Sequence, residues 1–179
     1  MAEDFLPFSR PTISQAAIDD VVACLKSGWI TTGPRVAQFT DDLKTYFDAP
    51  FVLPLMSATT GLHLALLGMN LAPGDEVITT PLTFAATLNT IVLAGGKPVL
   101  VDVDPCTLNM DINQLADAIT PRTKVIMPVH FAGLSVDLKV VYALAEQHNL
   151  RVLEDAAHAI GTQYDGKRIG SFGDTQVFS

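Results

Sequence analysis

Cysteine is scarce in this chain. Its 179 residues include two, Cys24 and Cys106, far apart and in no C-x-x-C pair. That argues against a disulfide framework or a zinc ribbon and fits reduced thiols in a cytoplasmic protein. Positive charge is scarce as well. Eleven Lys and Arg face nineteen Asp and Glu, a net charge of −8 with no basic cluster. A groove for nucleic acid or an anionic membrane surface is therefore not expected among the partners. Long apolar runs are missing: the richest, GLHLALLGMNLA, falls short of the ~18 residues of a membrane span. The opening MAEDFLPFSR carries two acids and no apolar h-region, so it does not read as a signal peptide. Neither G-x-G-x-x-G nor G-x-x-x-x-G-K-[ST] occurs, which removes support for a dinucleotide fold or a P-loop.

What is present is a globular composition, 49% apolar and 17% charged. Its apolar segments alternate in type. Ser14–Ser27 and Val36–Phe47 read as amphipathic helices, the first stopped by Gly28 and the second started by Pro34. Phe51–Met56 reads as a short strand, Gly61–Asn70 as a helix, Glu76–Thr80 as a strand, and Thr83–Ala94 as a helix ended by Gly95-Gly96. Then come strand Pro98–Val103, helix Asp111–Ile119, strand Lys124–Val129, helix Val136–His148, strand Arg151–Leu153 and strand Thr175–Phe178. Such alternation predicts a three-layer α/β/α domain with a mostly parallel sheet. Residues 1–35 are expected to form an arm and first helix, and residues 36–179 the sheet domain. Ending on an apolar strand suggests that the domain is incomplete at its C-terminus.

In open parallel sheets, ligands collect beyond the carboxyl ends of the strands. There the sequence places Ser57-Ala58-Thr59-Thr60-Gly61, small and hydroxyl residues at a helix start, where free N–H groups and the dipole suit an anion. Taken singly, Ser57 or Thr59 reads as an ordinary N-cap, and Phe84, after the next strand, as a core residue. His130 follows a third strand, and Glu154, Asp155 and His158 a fourth. Asp155, His158 and His130 match no zinc spacing, and metal is not expected. A buried acid at a strand end instead suits a protonated ring nitrogen, since an internal charge needs a partner. Pyridoxal 5′-phosphate (PLP) enzymes use that arrangement to make the ring an electron sink. An anion cradle, an aromatic, an acid and an imidazole at one sheet edge point to that cofactor together.

Six segments in order, SGWITTGP, SATTGLHLAL, PGDEVITTPLTFAATLN, GGKPVLVDVDPCTLNMD, AITPRTKVIMPVHFAG and VLEDAAHAIGTQYDGKRIGSFGD, resemble the DegT/DnrJ/EryC1/StrS sugar aminotransferases. The resemblance implies the large domain of a fold-type-I PLP transferase, with the small C-terminal domain absent. It implies that Asp155 pairs with the pyridine nitrogen and that His158 lies by the ring's 3-oxygen. Phe84 would stack on the ring. Ser57, Ala58, Thr59 and Ser179 would hold the phosphate, and Thr31, Thr32 and Gly33 would face the sugar. DFLPFSRP with SGWITTGP resembles the branch that aminates a UDP-linked 4-keto-pentose for lipid A modification. A ping-pong reaction with glutamate as donor, in a cytoplasmic homodimer, follows from the same resemblance.

The family's Schiff-base lysine would lie about five residues beyond Ser179. None of the six lysines, Lys26, Lys44, Lys97, Lys124, Lys139 and Lys167, occupies that motif, and Lys167 reads as a solvated turn residue. The 179-residue chain alone is therefore expected to be inactive. Two alternatives stand beside the aminotransferase: a PLP-dependent sugar dehydratase, in which histidine replaces that lysine, and a non-catalytic fragment or pseudo-enzyme.

Overall fold

The computed structural model describes residues 10–179, so the segment DFLPFSR falls mostly outside it. Two compact units are present, divided between Asp42 and Leu43. In the first, α1 (Gln15–Ser27) begins where Ser14 Oγ accepts from Ala17 N–H at 3.2 Å. It ends at Gly28, whose φ of 72° is the left-handed stop a Cβ would oppose. Helix α2 (Pro34–Phe47) starts at the proline itself and runs into the second unit.

The second unit is built on five parallel strands in the order β2-β1-β3-β4-β7. They are β1 (Glu76–Thr79), β2 (Lys97–Leu100), β3 (Thr123–Ile126), β4 (Arg151–Asp155) and β7 (Thr175–Val177). Register is set by pairs such as Val77 with Pro98, Ile126 with Val152 and Asp155 with Val177. Neighbouring strand residues face opposite sides, and the core divides accordingly. Val77, Val125, Met127 and Leu153 pack with Leu62 and Leu66 of α3 (Ala58–Gly68) and Ile91 of α4 (Ala85–Leu93). Ile78, Ile126 and Val152 pack with Leu115 of α5 (Ile112–Ala118) and Leu138 and Val141 of α6 (Leu138–His148). Each such side chain, buried completely, contributes about 1.5–3 kcal/mol. The expected parallel sheet with helices on both faces is what forms.

Three expectations are corrected. Phe51–Met56 is not a strand: it lies outside the sheet, with Phe51 90% and Met56 89% exposed. The place beside β4 belongs to β7, and Pro54 removes a ladder N–H from the middle of the run. Strand β4 continues past Leu153 through Glu154 and Asp155, both buried. Lys167 is in a strand rather than a turn: β5 (Gln163–Tyr164) and β6 (Lys167–Arg168) form an antiparallel hairpin. Its loop is Asp165-Gly166, both at positive φ (48° and 75°) as a two-residue type I′ turn requires. Among the described residues, no helix is long and apolar enough to cross a membrane.

Candidate functional site

At the carboxyl ends of the strands lies a cavity of about 600 Å³, within the range usual for small-molecule sites. Ser57, Ala58, Thr59, Phe84, Asp155, His158 and Ser179 all line it. These are seven of the residues named from sequence, brought together from four separate segments. Thr31, Thr32 and Gly33 are not among the lining residues and belong to the first compact unit. There Thr32 C=O accepts from the Trp29 indole at 3.0 Å, and a Cβ on Gly33 would run into that ring.

Each wall has a local cause. Ser57 caps α3, its Oγ accepting from Thr60 N–H at 3.2 Å. This leaves the first-turn N–H groups of Ala58 and Thr59 without intrahelical acceptors. Gly61 brings that helix start close to the sheet: a Cβ there would stand 2.6 Å from Val177 Cγ1 of β7. Pro81 follows β1, and Phe84 precedes α4 in extended conformation with its ring 78% exposed. The core reading of Phe84 therefore does not hold, since the residue is exposed and lines the cavity.

Asp155 is 5% exposed and held at several points. Its N–H donates to Pro128 C=O at 2.9 Å, and its C=O accepts from His130 N–H at 3.1 Å. Thr87 Oγ1 donates to Oδ2 at 2.7 Å, and Ala157 N–H reaches Oδ1 at 3.3 Å. The adjacent Glu154 has different partners. Its Oε2 lies 2.8 Å from His130 Nε2, and its Oε1 accepts from Tyr142 Oη at 2.6 Å and Gln176 Nε2 at 2.7 Å. His130 Nδ1 accepts from Val136 N–H at 3.2 Å, so the proton of the neutral ring sits on Nε2 and points at Glu154. Burial, and then the Glu154 charge, push the Tyr142 phenol well above its ordinary range. Both ring nitrogens of His130 are thus committed away from Asp155 and His158. No group of three or more His, Cys, Asp or Glu side chains suited to a metal occurs among the described residues.

Sequence reading missed Thr87 and the separate partners of Glu154. Thr83 and Thr87, four apart in TFAAT, were the available signal for the first. Nothing local signalled the second, because His130, Tyr142 and Gln176 come from three other elements.

A helix start rich in free N–H groups, an exposed aromatic and a buried carboxylate on one cavity define a site for a flat anionic small molecule. Comparison with known proteins agrees with that class. Residues 11–179 match the DegT/DnrJ/EryC1/StrS aminotransferase family, and the chain belongs to it. It is 47% identical to the UDP-4-amino-4-deoxy-L-arabinose--oxoglutarate aminotransferase of Shewanella sediminis, over 100% of this chain and 46% of that protein. It is also 47% identical to the spore coat polysaccharide biosynthesis protein SpsC of Bacillus subtilis, over 98% of this chain and 45% of that one. Among solved structures, Spr1654 of Streptococcus pneumoniae in its PMP form superposes with a TM-score of 0.93. It is 37% identical and is matched over 98% of this chain and 48% of its own. The same protein has also been solved in a PLP form. The chain spans about half the length of the curated relatives it matches.

Proposed function

We propose that the full-length protein carrying this chain is a PLP-dependent aminotransferase. It would move the amino group of glutamate to a nucleotide-linked 4-keto sugar. The observation that carries the reading is Asp155: a buried carboxylate with one oxygen bonded to Thr87, opening on a cavity that also has an anion-ready helix start.

The residues present fit the cofactor. The N–H groups of Ala58 and Thr59, with the Ser57 and Thr59 hydroxyls, suit a phosphate, and Ser179 adds a further hydroxyl. Phe84 offers an open ring face for stacking. Asp155 would pair with the pyridine nitrogen and keep it protonated, and His158, which also lines the cavity, would serve the ring's 3-oxygen. Bound PLP supplies the sink for the electron pair released when a substrate Cα–H bond breaks. Among the described residues no lysine lines the cavity, so the reading takes its Schiff-base lysine from elsewhere in the full-length protein.

The finer reading is a UDP-4-keto-pentose substrate, with Thr31, Thr32 and Gly33 facing the sugar, a product used on lipid A, and a cytoplasmic homodimer. Likeness to the Shewanella enzyme supports it. The equal identity to SpsC supports the broader version, a sugar destined for a surface polysaccharide.

The test is amino transfer from glutamate to UDP-4-keto-pentose by the full-length protein, wild type and Asp155→Asn. Amination by the wild type and loss of most turnover in the variant are expected. Near-normal turnover of Asp155→Asn would remove the role given to that residue. Deoxygenation of the sugar without amino transfer would establish the dehydratase instead.

A further inference from the structure

Thr87 is completely buried, yet it carries a hydroxyl where valine would fill the same volume. A buried hydroxyl is unfavourable unless used, and this one donates its single proton to Asp155 Oδ2 at 2.7 Å. Thr83 Oγ1 lies 2.6 Å from Thr87 Oγ1. Thr87 has no second proton to give, so in that pair Thr83 is the donor. The three groups therefore form a chain of fixed polarity, from Thr83 on the cavity wall through Thr87 to the carboxylate. Hydrogen bonds in such a chain strengthen one another. The engaged Oδ2 also stops the carboxylate turning about its last bond, and Oδ1 keeps only the longer 3.3 Å contact with Ala157 N–H.

We propose that Thr87, ordered by Thr83, is a positioning residue that fixes the Asp155 carboxylate for the pyridine nitrogen of the cofactor. The inference rests on the PLP reading above and goes beyond it by naming what orients the acid. Thr87 itself acts only through Asp155.

The two ways Thr87 could matter predict opposite orders among its variants. Thr87→Val keeps the volume and removes the hydroxyl; Thr87→Ser keeps the hydroxyl and removes a methyl. The experiment titrates PLP into the full-length protein and follows the pH dependence of the bound cofactor's absorbance. Wild type, both Thr87 variants, Thr83→Val and Asp155→Asn are compared.

Positioning predicts that Thr87→Val binds PLP roughly ten-fold more weakly. The ring-nitrogen transition should move to lower pH, because the proton there loses a well-aimed carboxylate. Thr87→Ser should keep the wild-type pH profile, and Thr83→Val should shift it part of the way. A packing role predicts the reverse, with Val like wild type and Ser weakened. If Thr87→Val does not fold, Thr83→Val, at a half-buried position, decides: an unmoved profile overturns the inference. Should Asp155→Asn lose PLP while Thr87→Val and Thr83→Val match wild type, the positioning role fails and the cofactor reading stands. Should Asp155→Asn also bind PLP normally with an unmoved profile, the role given to Asp155 fails, and the inference with it; a wild type that binds no PLP would instead remove the cofactor reading.

Discussion

Glu154 and Asp155 are consecutive residues on β4 and serve opposite faces of the sheet. Asp155 is bonded to Thr87 of α4, and Glu154 to Tyr142 of α6. The two-residue period of a strand forces the separation. One acid reaches the cavity, while the other, 1% exposed, ties β4 to α6, β7 and the loop after β3. Two adjacent carboxylates thus do not share an environment, and each has its own donors.

The Glu154 cluster predicts a measurable loss in Tyr142→Phe. Glu154 would keep His130 and Gln176 but lose its 2.6 Å donor, a bond to a charged group worth about 1.5–3 kcal/mol. Denaturant unfolding should show a loss of that order, and an unchanged midpoint would refute it. Because folding raises the phenol's pKa above 10, this contribution is complete below pH 10 and declines at higher pH. In native protein, the alkaline ultraviolet titration of tyrosine should have the same amplitude with and without Tyr142.

At the opposite end of the sheet, Glu76 is 2% exposed. It accepts from Thr120 Oγ1 at 2.6 Å, from Arg122 Nη2 at 2.8 Å and from Lys97 Nζ at 3.2 Å. The Thr120 hydrogen bond first, then that of Arg122, lower its pKa from 4.5 to about 2. Its stabilising contribution is therefore whole above pH 4.5 and is lost as pH falls from there towards about 2. Glu76→Gln should be less stable than wild type at neutral pH and should flatten the acid limb of the stability curve. Parallel curves for the two proteins between pH 5 and pH 2 would exclude this account.

The 179-residue chain on its own presents Phe51, Leu53 and Met56 at 90%, 73% and 89% exposure. Large apolar side chains exposed together in one short segment favour association. We expect the isolated chain to bind a hydrophobic dye, to self-associate in sedimentation and to show no transamination. A monodisperse, dye-free species with a sharp cooperative melt, or any amino transfer, would contradict this.

Much of the fold was legible because its signals are local. Ser14, Asp111 and Asp137 stand at helix N-caps, and Gly28 at a helix stop. The β-branched and apolar runs around Val77, Val125 and Val152 became strands. The cavity was legible for a related reason: in a parallel sheet every strand end faces the same edge, so residues just after strands meet. Phe51–Met56 misled because an apolar run states a preference for burial and names no partner. The Asp165-Gly166 turn, by contrast, carries a local hairpin signal in its two residues.

The sequence by itself determined the order of the α-helices and of the five sheet strands, the edge where the site forms and the family to which the chain belongs. These follow from periodicity, caps and motifs carried by short stretches of chain. Only the tertiary structure decided which strand lies beside β4, that Glu154 turns away from the cavity to His130, Tyr142 and Gln176, and that Thr87 holds Asp155 across 68 residues of chain. Those outcomes depend on contacts between segments remote in sequence. A buried hydrogen bond leaves no local pattern until packing brings its donor and acceptor together.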